Sequence, residues 1–122
     1  YGPTPLATYR SQLTYLASTA RRWGSCLIMT EPPSAASRQT YAIQDQYHAV
    51  QREVAAEQTC ALVDITAKWG GTHEVMAARG WYADTTHGTP EAYAFEGQFV
   101  ADAVLALSWW KARPSASSPP AR

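Results

Sequence analysis

The chain has 122 residues, 46% of them apolar, enough for one domain with a packed core. Ten Lys and Arg balance ten Asp and Glu, so there is no electrostatic footprint for nucleic acid or an anionic membrane surface. No apolar run approaches the roughly 18 residues of a membrane span, and no basic-then-apolar leader reads as a signal peptide; the opening YGPTP reads as a processed or truncated end.

Residues 4–23, TPLATYRSQLTYLASTARRW, predict a helix with Leu6, Tyr9, Leu13, Leu16, Ala17 and Ala20 on one stripe. Thr4 and Pro5 suit a cap and first turn, and Gly24 a stop. Arg21 and Arg22 sit where positive charge complements the helix dipole. The run SCLIMTE follows, apolar without polar alternation and bounded by Gly24 and Pro32-Pro33. That pattern predicts a strand covered on both faces, as in a parallel sheet. A second helix is expected over residues 40–58, with Ile43, Tyr47, Val50 and Val54 facing inward. CALVDI, residues 60–65, repeats the strand pattern, and the order strand, helix, strand suits a right-handed crossover. A short helix is expected around residues 74–79, ended by Gly80. The final helix is expected over residues 90–110, burying Tyr93, Phe95, Phe99, Val100, Ala103, Val104 and Leu107. Residues 111–122 are rich in Pro and Ser and predict a disordered tail, which leaves residues 1–110 as the domain.

Cys26 and Cys60 match no metal spacing, and each opens a predicted strand, where a buried free thiol is the expectation; a disulfide requires that the strands be neighbours. His48 in a helix and His73 in a loop have no companion at metal spacing, and both read as solvated. Neither a metal nor a cofactor is expected, and the lack of a Gly-rich phosphate loop speaks against nucleotide binding. Two strands alone leave unpaired edges and too little surface for three long helices. Further strands are therefore expected from elsewhere, and the chain reads as the C-terminal half of an α/β domain.

The stretch WYADTTHGTPEAY, residues 81–93, sets Asp84 and His87 three apart in a loop before the last helix. Together with TEPP at the end of the first strand and AVQREVAAEQTCALVDITAKW, it resembles the C-terminal half of SGNH (GDSL-type) hydrolases, over about residues 5–108. The resemblance implies a flavodoxin-like three-layer α/β/α parallel sheet, of which this chain supplies two strands and three long helices. It also implies a serine hydrolase acting on acyl or acetyl esters, with acylated carbohydrate among the substrates in range. His87 would be the general base and Asp84 would orient its ring. In that family the nucleophilic serine and the oxyanion donors precede the matched segment, and this chain contains no asparagine. Ser25, in WGSC, leads into a strand instead of leaving one, at the opposite end from where open α/β sheets place ligands. The resemblance thus implies a partner, the N-terminal half of the domain, in the same polypeptide or another chain, without which this chain is inactive. The alternative is a degenerate domain kept for carbohydrate binding or assembly, for example on a secreted protein or a virion tail; a flavodoxin-like binding domain without the chemistry is a third reading. A secreted or surface location suits the first two. Asp64, ending the second strand, is expected to satisfy loop amides. For Glu31, on the same edge, a pocket-lining role is weighed against plain solvation. For Trp109 and Trp110, core or a contact with missing sequence is favoured over an aromatic sugar platform.

Overall fold

A computed structural model describes residues 3–33, 38–84 and 87–107, and the side chains at 38–41 are left aside. The elements run α1 (Leu6–Trp23), β1 (Leu27–Met29), α2 (Arg38–Glu57), β2 (Ala61–Val63), α3 (Ile65–Lys68), α4 (His73–Ala78) and α5 (Pro90–Ala106). β1 and β2 pair in parallel, with Leu27 opposite Ala61, Ile28 opposite Leu62 and Met29 opposite Val63. Among the described residues these two strands make up the sheet. The chain is therefore mixed α/β with a parallel strand pair, as the two uninterrupted apolar runs predicted.

Successive strand residues point to opposite faces, and the packing follows that alternation. Ile28 joins Ala17, Cys26, Val54 and Ala55 in one apolar cluster, which α1 and α2 supply from one side. Leu27 and Val63 turn the other way, into a second cluster with Ile65, Trp69, Met76 and Ala92, against which Phe95 and Phe99 of α5 pack. The strand pair thus separates two apolar clusters. Each is closed by a helix whose apolar spacing was legible in the sequence.

Several expectations need correction. On α1, Leu13, Ala17 and Ala20 face the first cluster, but Leu16 is 62% exposed. It lies on the flank of the stripe, turned away from the packed side. The helix starts at Leu6 with Pro5 as its cap residue, and no side chain caps it; the Thr4 carbonyl instead accepts from the Tyr47 hydroxyl. On α5, Tyr93 is exposed instead of core, while Ala92 is buried. The helix was expected to reach residue 110 but ends at Ala106, with Leu107 already extended as its C-cap residue; Trp109, Trp110 and the tail lie outside the described residues. The short helix α3 was not foreseen; Asp64 nucleates it by accepting from the Ala67 amide at 3.0 Å.

The cysteines are not free thiols. Cys26 and Cys60 form a disulfide with a Cα–Cα distance of 4.7 Å. Parallel pairing sets the residues just before each strand side by side, and the Ala61 amide donates to the Cys26 carbonyl at 2.9 Å. The expectation of free thiols treated each strand separately, whereas the bond depends on their being neighbours.

Candidate functional site

The carboxyl ends of β1 and β2 gather the polar side chains. Asp64 accepts from the Thr30 hydroxyl at 3.0 Å, from Arg52 Nε at 2.6 Å and from Arg52 Nη2 at 3.0 Å, besides capping α3. Burial alone pushes its carboxyl up, but Arg52, the Ala67 amide and Thr30 together hold it below the usual carboxylate range. With its oxygens occupied, Asp64 ties the two strand ends to α2 and α3. That matches the structural role expected for it.

His48 is not solvated: it is 1% exposed. Its Nε2 lies 3.1 Å from Glu31 Oε2, and its Nδ1 lies 3.0 Å from Thr66 Oγ1. The Thr66 hydroxyl also donates to the Glu31 carbonyl at 2.5 Å, and its amide donates to Thr30 Oγ1 at 3.0 Å. One buried ring thus bridges the Glu31 carboxylate beyond β1 and the Thr66 hydroxyl on α3. The hydrogen bond from His48 holds the Glu31 carboxyl below its ordinary range, against the effect of burial. The signal that finds this group is a polar stripe on α2, Gln44, His48 and Gln51, beside the apolar stripe of Tyr47, Val50 and Val54. His73 is half-buried, and its ring lies 5.4 Å from that of Tyr82, so it too departs from the solvated expectation.

Asp84 and His87 come together as their spacing predicts. His87 Nδ1 lies 2.8 Å from Asp84 Oδ2, and the His87 amide donates to Asp84 Oδ1 at 2.7 Å. One carboxylate therefore holds both the backbone and the ring of the histidine. With Nδ1–H donating to Asp84, the Nε2 lone pair remains available. Both side chains are open to solvent, His87 at 66% and Asp84 at 56%. The loop is drawn closed by the Ala83 amide donating to the His87 carbonyl and the Thr89 amide donating to the Trp81 carbonyl, each at 2.9 Å. Thr89 then caps α5 through the Ala92 amide, with Pro90 in the first turn. Gly88 makes room for this join, since a Cβ there would lie 3.1 Å from the Ala92 Cβ.

Among the described residues no serine, threonine or cysteine side chain is hydrogen-bonded to His87, and both cysteines are held in the disulfide. Ser25 precedes β1 by two residues, at the amino edge of the sheet. At about 3.3 Å per strand residue, it lies roughly 20 Å along the chain from Glu31 at the other edge.

Beside the Asp84–His87 loop is a cavity of about 330 Å3 whose walls include Glu31, Gln44, Trp69, Tyr82, Gly88 and Tyr93. Glu31 therefore does line a pocket, at the carboxyl edge where open α/β sheets place ligands. The Tyr82 hydroxyl donates to the Pro33 carbonyl at 2.6 Å, and burial pushes its pKa up to about 12, with Glu74 adding to the effect. Among the described residues no group of three His, Cys, Asp or Glu is arranged to hold a metal ion, and no helix is long and apolar enough to cross a membrane. Comparison with known protein families, curated proteins and solved structures finds no match to this chain.

Proposed function

We propose that this chain supplies the base half of an SGNH-type serine hydrolase acting on carboxylic esters. The observation that carries the reading is the Asp84 carboxylate bonded at once to the His87 amide and to Nδ1. That geometry holds the ring in one tautomer and directs its basicity to Nε2. In the reaction, a serine oxygen attacks the ester carbonyl while its proton passes to His87 Nε2, and the same proton goes to the departing alcohol. Water then repeats the sequence to release the acid. Asp84 stabilises the imidazolium between these transfers. The serine and the oxyanion donors belong to sequence or a chain beyond these residues, as the N-terminal half of a flavodoxin-like three-layer domain.

The strand pair supports this reading. Met29 is 45% exposed and Leu62 38% exposed, unusual for strand residues that read as doubly covered. Both suit a sheet completed by further strands and helices. The Cys26–Cys60 disulfide suits an oxidising compartment, and so a secreted or surface protein.

The test is hydrolysis of p-nitrophenyl acetate by this chain alone and by the chain joined to its N-terminal half. The chain alone is expected at the buffer rate. In the joined protein, His87→Ala and Asp84→Asn are each expected to lower kcat by roughly a thousandfold or more, without loss of fold. A joined protein whose activity survives His87→Ala ends the proposal. Among the described residues no nucleophile is hydrogen-bonded to His87, which favours a second reading, a domain that binds or assembles without chemistry. An inactive joined protein lacking a serine after its first strand supports that one.

A further inference from the structure

The cavity beside the His87 loop contains polar groups for which ester hydrolysis has no use. Trp69 is 1% exposed, yet its indole Nε1 has no hydrogen-bond partner among the described residues. Glu96 Oε2, on α5, is likewise buried without a partner among the described residues. Both residues line the cavity. Buried polar atoms in native proteins are nearly always paired, so a donor and an acceptor without partners on two residues that line one cavity point to a ligand. An indole N–H only donates and an ionised carboxylate only accepts. A hydroxyl meets both needs. The Tyr93 hydroxyl, also in the lining, accepts from the Gly88 amide at 3.2 Å, so its own proton is free for a further acceptor.

Charge and size narrow the class. Two carboxylates, Glu31 and Glu96, face the cavity, and among the described residues no Lys, Arg or His lines it. Burial also pushes the Glu96 carboxyl up, which marks surroundings that disfavour further negative charge. An anionic ligand therefore fits badly. Trp69, Met76 and Tyr82 supply apolar walls. The volume of about 330 Å3 is roughly twice that of a cavity known to hold benzene, room for one six-membered ring with its substituents. An organic cation would be drawn by the aromatic and acidic walls, but its charged group offers the Trp69 N–H no acceptor.

We infer that this cavity binds one neutral hydroxylated ring, a pyranose unit of an uncharged glycan, with Trp69 Nε1 donating to a ring hydroxyl and Glu96 accepting from one. The inference deepens the function proposed above but rests on neither the serine nor His87, so binding can fail while esterase activity stands, and the reverse.

The experiment is a titration of the 15N-labelled full chain, following the Trp69 indole N–H resonance, which is assigned by its loss in Trp69→Phe. The probes are methyl glycosides of glucose, galactose and mannose, methyl glucuronide, and choline. At least one neutral glycoside is expected to shift the resonance saturably, with a dissociation constant of about a millimolar or below. Its binding is expected to be at least about tenfold tighter than that of the glucuronide or choline. Glu96→Gln keeps the shape of the wall; it is expected to weaken the glycoside severalfold and to narrow its lead over the glucuronide. That variant removes a carboxylate that burial disfavours, so its melting temperature is expected to stay level or rise. No shift with any neutral glycoside up to about 50 mM overturns the inference. So does tighter binding of choline or glucuronide, or glycoside binding that Glu96→Gln leaves unchanged.

Discussion

Thr59 ends α2 at a φ of 53°, the one positive value outside glycine among the described residues. Its amide donates to the Ala56 carbonyl at 3.2 Å and the Cys60 amide to the Ala55 carbonyl at 2.8 Å, the pattern of a Schellman cap. Glycine is the usual residue at that position, because a β-branched side chain is strained there. Thr59→Gly is expected to raise the unfolding free energy by roughly 1 kcal/mol, read from the urea midpoint. A lower midpoint would show that the threonine is not strained. Legibility at this scale depends on the distance between partners. Asp84 and His87 lie three residues apart in one loop, so their contact could be read directly. His48 depends on Glu31 and Thr66, 17 and 18 residues away on other elements, and its burial could not.

At the scale of elements, the helices and strands follow their apolar spacing, and the cross-link between them does not. The disulfide joins the residues leading into β1 and β2, closing the crossover through α2. With a sequence separation of 34 between the cysteines, the chain-entropy model attributes to it a stabilisation of about 4 kcal/mol. Replacing both cysteines with serine is expected to lower the urea-derived stability by about that amount. A double variant as stable as the parent would mean that the bridge restricts the unfolded chain little. The same closure positions the candidate site indirectly. By pinning the amino ends of the strands, it leaves their carboxyl ends in register, where Thr30, Asp64 and Thr66 interlock.

For the molecule as a whole, the acid groups at the carboxyl edge make stability depend on pH. Glu31 is held below its ordinary range chiefly by His48, and Asp64 is held low by Arg52, the Ala67 amide and Thr30 against the larger single effect of burial. A carboxyl whose folded pKa is depressed contributes stability that is fully present above its unfolded value and is lost as pH falls through the folded one. Glu96 works in the opposite sense, because its raised pKa means that ionisation costs stability toward neutral pH. Melting temperatures are therefore expected to hold near neutrality and to fall once the pH drops below about 4, less steeply in Asp64→Asn. A parent and an Asp64→Asn variant with identical acid limbs would remove Asp64 from this account.

Local patterns in the sequence determined the long helices and the two strands, though not the short α3, that the strands run parallel, and that Asp84 and His87 share a loop. Each of these rests on periodicity, or on contacts within a few residues along the chain. Only the tertiary structure decided that Cys26 bonds to Cys60, that His48 is buried against Glu31, and that Trp69 and Glu96 line one cavity. Those outcomes depend on which strands become neighbours and which faces the helices cover, and contacts between distant residues leave no periodic trace in the chain.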